Sequence, residues 1–212
     1  NTCISGLELN ECIEKMGEES FRNSWISGKV VIPETIEKIE YATFQYCGRI
    51  EEVEFKSSNG KGCKSIEMYG FLQNGNLKNI TFPPTLEKIG HRAFDWGYKL
   101  QEVYLPDSIT SIDYGAFWSQ YKMTITHWPK NLEEIGDYAF SGCVSLNKIE
   151  MPNNPISISK SLFYETAYYN DSSNWENGIL YVDGYLVVGN NDLSNYTECT
   201  IKEGTIVIAN NA

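Results

Sequence analysis

Six cysteines, two histidines and recurring acidic pairs are the residues whose chemistry could do work in this chain. A disulfide needs Cα atoms within about 7 Å. Cys47 and Cys143 stand three residues after Phe44 and Phe140, and they read as small buried hydrophobes rather than partners. Cys63 falls on an apolar column and points inward. A Cys47–Cys63 bond is conceivable, but free thiols are preferred. Cys3 and Cys12 could pair only if Cys3 folds back, because nine helical residues span about 13 Å. Cys199 has no evident partner, and no CxxC or Cys/His spacing suggests zinc. His91 and His127 stand near no nucleophile in a recognisable setting. Glu51–Glu52 and Glu133–Glu134 recur at similar places, which marks a solvated face rather than a two-carboxylate catalytic site. No phosphate loop or dinucleotide motif is present. The triplets at Asn79, Asn170 and Asn195 matter only in a eukaryotic secretory host. No catalytic residue, metal or cofactor is expected.

The elements that position these residues repeat. Phe44, Phe71, Phe94, Phe117, Phe140 and Phe163 are separated by 27, 23, 23, 23 and 23 residues. Five before each stand Ile39, Ile66, Ile89, Ile112, Ile135 and Ile158; eleven before stand Pro33, Gly60, Pro83, Pro106, Pro129 and Pro152. Nine after the first five come Val53, Ile80, Val103, Thr126 and Ile149, with Thr126 the exception. Apolar columns at such a step mark a solenoid, in which each coil buries its edge only by stacking on the next. "LQEVYLP" alternates as a strand must, and its Pro ends the ladder. "SITSID" reads as a second short strand, and "YGAFWS" as one tight helical turn.

The pattern breaks in three places. "KSSNGKGCKS" adds four residues to the 27-residue step and reads as a loop. "SGLELNECIEKMG" reads as a short helix, with Ser5 and Glu8 as a capping box and Gly17 as its C-cap. "GILYVDGYLVV" reads as a hairpin turning at Asp183–Gly184. "TIKEGTIVIANNA" then resumes the pattern, with Ile208 on the Ile112 column. The expected organisation is a capping segment at 1–29, repeats at 30–165, an insertion with a β-hairpin at 166–198, and a truncated repeat at 199–212. The pattern demands a further Phe after Ala212, so the chain is expected to continue there.

A formal charge of −11 with no basic stripe argues against nucleic acid and against anionic membranes. No apolar run approaches the roughly 18 residues of a membrane helix. The first residues do not read as a signal peptide, so a processed or excised chain is expected.

The phrase "LxxVxLPxxIxxIxxxAF" resembles the leucine-rich repeat family, and the BspA-like type of bacterial and protist surface proteins in particular. It lacks the Asn that usually follows the strand, so no asparagine ladder is expected. The resemblance implies an α/β fold: a right-handed, horseshoe-like solenoid, strand-rich with short helical turns. It implies a non-catalytic module for protein or cell adhesion, extracellular or at the cell surface, whose partner is a protein or a host-surface ligand such as a glycan. A structural spacer displaying other domains is the alternative, and an enzyme or enzyme inhibitor the second. Leucine-rich repeats generally bind along the strand face. The resemblance therefore makes the outward strand residues Glu52, Asn79, Glu102, Tyr104, Ile125 and His127 the first candidate surface. Trp96, Tyr98, Trp118 and Tyr121, in the Phe turns, are read as packing rather than as a sugar-stacking ridge.

Overall fold

The computed structural model describes residues 4–152, 154–189 and 200–212. In chain order its strands are β1 (Ile4–Glu8), β2 (Ile26–Ile32), β3 (Lys38–Ile39), β4 (Ile50–Phe55), β5 (Ser65–Ile66), β6 (Asn79–Thr81), β7 (Lys88–Ile89), β8 (Glu102–Tyr104), β9 (Ser111–Ile112), β10 (Thr124–His127), β11 (Glu134–Ile135), β12 (Trp175–Glu176), β13 (Ile179–Val182), β14 (Tyr185–Gly189) and β15 (Val207–Ile208). The longer strands stack in parallel as β1-β2-β4-β6 and β8-β10; the two-residue strands stack as β3-β5-β7-β9-β11. Each coil thus has two straight sides and a turn, and the columns read from the sequence become rows through one core.

The strictest row is a stack of rings. Phe44, Phe71, Phe94, Phe117, Phe140 and Phe163 are all fully buried. Successive centroids lie 5.1, 5.3, 5.3, 5.5 and 6.1 Å apart, with rings within 17° of parallel. Burial of each Phe contributes about 1.5–3 kcal/mol. Phe55, Phe82 and Trp128 meet this row edge-on from the strand side.

The turns around these rings are not α-helical. Residues two before and two after the Phe adopt left-handed φ, as at Ala42 (φ 50), Tyr46 (φ 61), Tyr69 (φ 61), Gln73 (φ 59), Arg92 (φ 50) and Trp96 (φ 60). A non-glycine residue pays for that conformation, and bonds between coils offset the cost: Ala42 N–H donates to Met68 O (3.0 Å), Phe44 N–H to Gly70 O (2.8 Å) and Tyr46 N–H to Leu72 O (2.9 Å). Among the described residues α-helix is confined to α1 (Ala167–Asn170). The α/β expectation is therefore corrected: this is a strand-rich β-solenoid with almost no helix.

The expected N-terminal helix is also absent. Residues 4–8 form β1, parallel to β2, and Phe21 stacks on Phe44 at 5.1 Å and 3°. Phe21 stands 23 residues before Phe44, with Met16 and Leu9 on the Ile39 and Ile32 columns; both are buried. Burial of this apolar edge outweighs the local capping pattern at Ser5 and Glu8, because helical order would leave it unpacked. The four extra residues of the 27-residue step form a small exposed turn at Asn59–Gly60, closed by a bridge between Ser58 and Lys61.

β13 and β14 pair antiparallel about Asp183–Gly184, and β15 adds in parallel to β14. Ile208 is 55% exposed rather than on the buried Ile112 column. Ile208 pairs with Leu186 of the hairpin, while Asn210 bridges Ser159 of the preceding repeat in parallel, so Ala209 takes the buried position in its place. Cys3, Cys199 and Asn195 lie outside the described residues.

Candidate functional site

On the strand face β2, β4 and β6 bring Lys29, Glu52 and Asn79 into one row. The row is closed by charge pairing. Lys29 Nζ lies 2.8 Å from Glu52 and 2.5 Å from Glu54, and Lys78 Nζ lies 2.8 Å from Glu51. Hydrogen bonds donated to these two carboxylates raise the Lys29 pKa; the Lys29 and Lys78 ammoniums hold Glu54 and Glu51 below the usual carboxylate range. The acidic appearance of the sequence here is thus largely neutralised across coils.

Further along, the face changes character. Tyr104 and His127 lie opposite each other on β8 and β10 and stack at 4.5 Å and 11°. Tyr104 is 55% exposed. His127 Nε2 lies 2.9 Å from Asp107 Oδ1, which also accepts from the Lys130 backbone N–H at 3.0 Å. Those donors, the Lys130 N–H first, lower the Asp107 pKa. Asn131 Nδ2 donates to Asp107 O. The two rings therefore form a braced platform, and a cleft lined by His127, Trp128, Lys130 and Glu150 lies beside it.

Ile125 does not belong to this surface. It pairs with Val103 and is buried. The register shifts between Ile125 and His127, so Thr126 becomes a bulge residue, with its Oγ1 donating to Val103 O at 3.2 Å. A one-residue slip exchanges the two faces of a strand. Here it takes Ile125 inward and accounts for Thr126 as the exception in its column. Glu102, opposite Thr124 on β10, and Asn79 are exposed where expected.

The other side of the coils carries features that the sequence reading did not assign. Three residues after the Phe, Cys47, Asn74 and Cys143 donate to the carbonyls of Phe21 (2.9 Å), Phe44 (2.9 Å) and Phe117 (3.2 Å), and Gln120 donates to Phe94 O. At Gly97 the column has no side chain, and the Gln120 amide occupies the space a Cβ would need. Cys47 and Cys143 are thus buried as expected, and they also satisfy backbone. Burial pushes the Cys63 and Cys143 thiols up to about 12; Cys12, Cys47, Cys63 and Cys143 are all free. Outside this column Tyr69, His91, Tyr114 and Tyr138 form a continuous chain of ring contacts, with Trp118 wedged against Tyr114 and Tyr138. Trp96, Tyr98 and Tyr121 remain about half exposed. A cavity of about 470 Å³ opens where this edge meets the insertion. Among the described residues no three His, Cys, Asp or Glu side chains are grouped to hold a metal, and no helix is long and apolar enough to cross a membrane.

Stacked coils, a parallel strand face and a buried Phe row define a leucine-rich repeat solenoid. The chain belongs to the family described as BspA type leucine rich repeat region, whose model matches residues 1–124 and 118–212. Among solved structures it is similar to a leucine-rich repeat protein of T. pallidum, with 24% identity, 71% of this chain and 70% of that chain covered, and a TM-score of 0.59. It is also similar to a leucine-rich cell surface protein of Faecalibacterium prausnitzii, with 22% identity, 72% of this chain and 49% of that chain covered, and a TM-score of 0.51. The chain thus spans about half of that second protein. No curated protein matches it.

Proposed function

We propose that this chain is a non-catalytic recognition module, secreted or displayed at a cell surface, that adheres to a protein or cell-surface ligand through its strand face. A right-handed, horseshoe-like course of the coils is part of this reading. The observation that carries it is the Tyr104–His127 platform: two rings stacked at 4.5 Å, one 55% exposed, braced by Asp107. Rigid exposed aromatics are the usual anchors of binding hot spots, since little entropy is lost when they are covered. Surface display is supported by family membership and by the description of the F. prausnitzii relative as a cell surface protein. Binding on protein and glycan arrays tests the reading. Binding by the whole chain that is lost on Tyr104→Ala plus His127→Ala, without a change in folding, is expected; binding indifferent to that pair contradicts it.

A second reading, a spacer that displays other domains, draws on the cross-coil pairing of Lys29 and Lys78 with Glu51, Glu52 and Glu54. A face whose charges are already satisfied has less to offer a partner. No array binding by this chain, together with binding by a flanking domain, favours the spacer.

A further inference from the structure

The cavity of about 470 Å³ on the Phe-turn edge is lined by Tyr138, Lys160, Ser161, Tyr164, Tyr169 and Trp175, with Val188 and Gly189 of β14 closing one side. We infer that it is a binding site for an acidic sugar, a pyranose bearing a carboxylate. Its size suits one small ligand.

Two features give the ligand its chemistry. The first is charge. The chain has 28 Asp and Glu residues against 17 Lys and Arg, yet among the described residues no carboxylate lines this cavity and Lys160 is its one cation. Another cleft of similar size, beside residues 34–40, is lined by four glutamates and three lysines. Lys29, Lys64, Lys78 and Lys88 are ion-paired across coils, whereas Lys160, like Lys61, Lys99, Lys122 and Lys130, forms no ion pair among the described residues. An ammonium free of carboxylates selects an anion, and a charge-assisted bond there is among the stronger polar contacts available.

The second feature is ring geometry. Elsewhere on the surface some aromatic faces are covered by one another: His91 lies on Tyr114 at 12°, and Tyr104 on His127 at 11°. Around this cavity Tyr138 stacks on Trp118 at 28°, while the other rings meet nearly at right angles. Tyr164 and Tyr169 cross at 71°, and Tyr169 and Trp175 at 85°, both with centroids 5.3 Å apart. Perpendicular contacts leave ring faces for a ligand, and the C–H face of a pyranose is an apolar plate that stacks on such a face. Trp175 is fixed by its own Nε1–H, which donates to Tyr169 O at 2.7 Å. The Ser161 hydroxyl, 2.9 Å from Ser159 Oγ, is placed to bond sugar hydroxyls. The site stands on the opposite side of the coils from the strand face and does not depend on what that face binds.

Titration of the full chain with glucuronate, glucose and acetate, followed by ligand-detected NMR, tests this. Glucuronate should bind about tenfold more tightly than glucose, the worth of one charge-assisted bond, and acetate should not bind measurably. Lys160→Gln should erase the preference for glucuronate. Tyr164→Ala, an exposed position, should weaken both sugars with the circular dichroism unchanged. Lys122→Gln, a lysine away from the cavity, and Tyr104→Ala plus His127→Ala should leave binding intact, which separates this site from the strand-face reading. Absence of glucuronate binding overturns the inference. So does equal binding of glucose or acetate, or a glucuronate affinity indifferent to Lys160→Gln.

Discussion

The two sides of each coil use aromatic residues in opposite ways. On the turn side the rings from Phe44 to Phe163 recur without a gap, lie nearly parallel and are fully buried. On the outward face of the strand side aromatic residues are sparse: Tyr104 and His127 stack once, at the coil where the register slips. Repetition makes contacts that every coil shares, and so makes stability. A break in repetition makes a surface that one coil owns, which is what recognition of a particular ligand requires. The cavity beside Lys160 fits this lesson, since it lies where the repeats meet the insertion.

The contrast is sharpest under truncation. Phe117→Ala removes a ring sandwiched between Phe94 and Phe140 and should cost about 3–5 kcal/mol by urea unfolding. Tyr104→Ala should stay within about 0.5 kcal/mol of wild type. Comparable losses at the two sites would break the division between them.

A second effect belongs to the turn side alone. Asp95 is fully buried with Arg92 Nε 2.6 Å from its Oδ2. Burial pushes its carboxyl from the ordinary 3.8 up to about 6, against the opposing pull of Arg92. The folded state therefore holds this proton more tightly than the unfolded chain. Its contribution is fully present below pH 3.8 and is lost as pH rises to about 6. The difference in unfolding free energy between wild type and Asp95→Asn should change by on the order of 3 kcal/mol across that window, and be flat above it. A flat difference throughout would show that Asp95 ionises freely.

Smaller again is Gln120→Ala, which strips Phe94 O of its side-chain donor. It should cost about 1–3 kcal/mol, the penalty of an orphaned buried acceptor. The smallest effect is chemical. Cys63 and Cys143, buried and held up to about 12, should resist alkylation in the folded chain, while exposed Cys12 reacts. Mass mapping after a brief iodoacetamide pulse reads this, and early labelling of Cys143 would mean that the turn side opens readily.

Much of this was legible because a column needs only an anchor and a count. The Phe row, the inward cysteines and the turn at Asp183–Gly184 follow from spacing and residue type. Three features were not legible for physical reasons. At residues 4–17 a local capping pattern competed with a long-range one, and the columns through Met16 and Phe21 prevailed because stacking buries more than a lone short helix could. At Ile125 the step from Phe117 to Phe140 is the usual 23 residues, so the slip leaves no trace in the count. Its sign in the sequence is Thr126 on an apolar column, and the backbone pairing shows the shift itself. The cavity draws its walls from residues 138–189, and no spacing rule joins a repeat to an insertion. Glu52 was legible as an outward residue, but its engagement by Lys29 was not, because that lysine lies on a coil taken for a cap.

The central claim is that the regular columns hold the fold and the irregular coil does the binding. The most direct measurement takes one array-identified ligand and follows unfolding midpoint and affinity together in two variants, Phe117→Leu and Tyr104→Ala plus His127→Ala. The account predicts a lowered midpoint with affinity preserved in the first, and a preserved midpoint with affinity lost in the second. Midpoint and affinity falling together in both variants would contradict it.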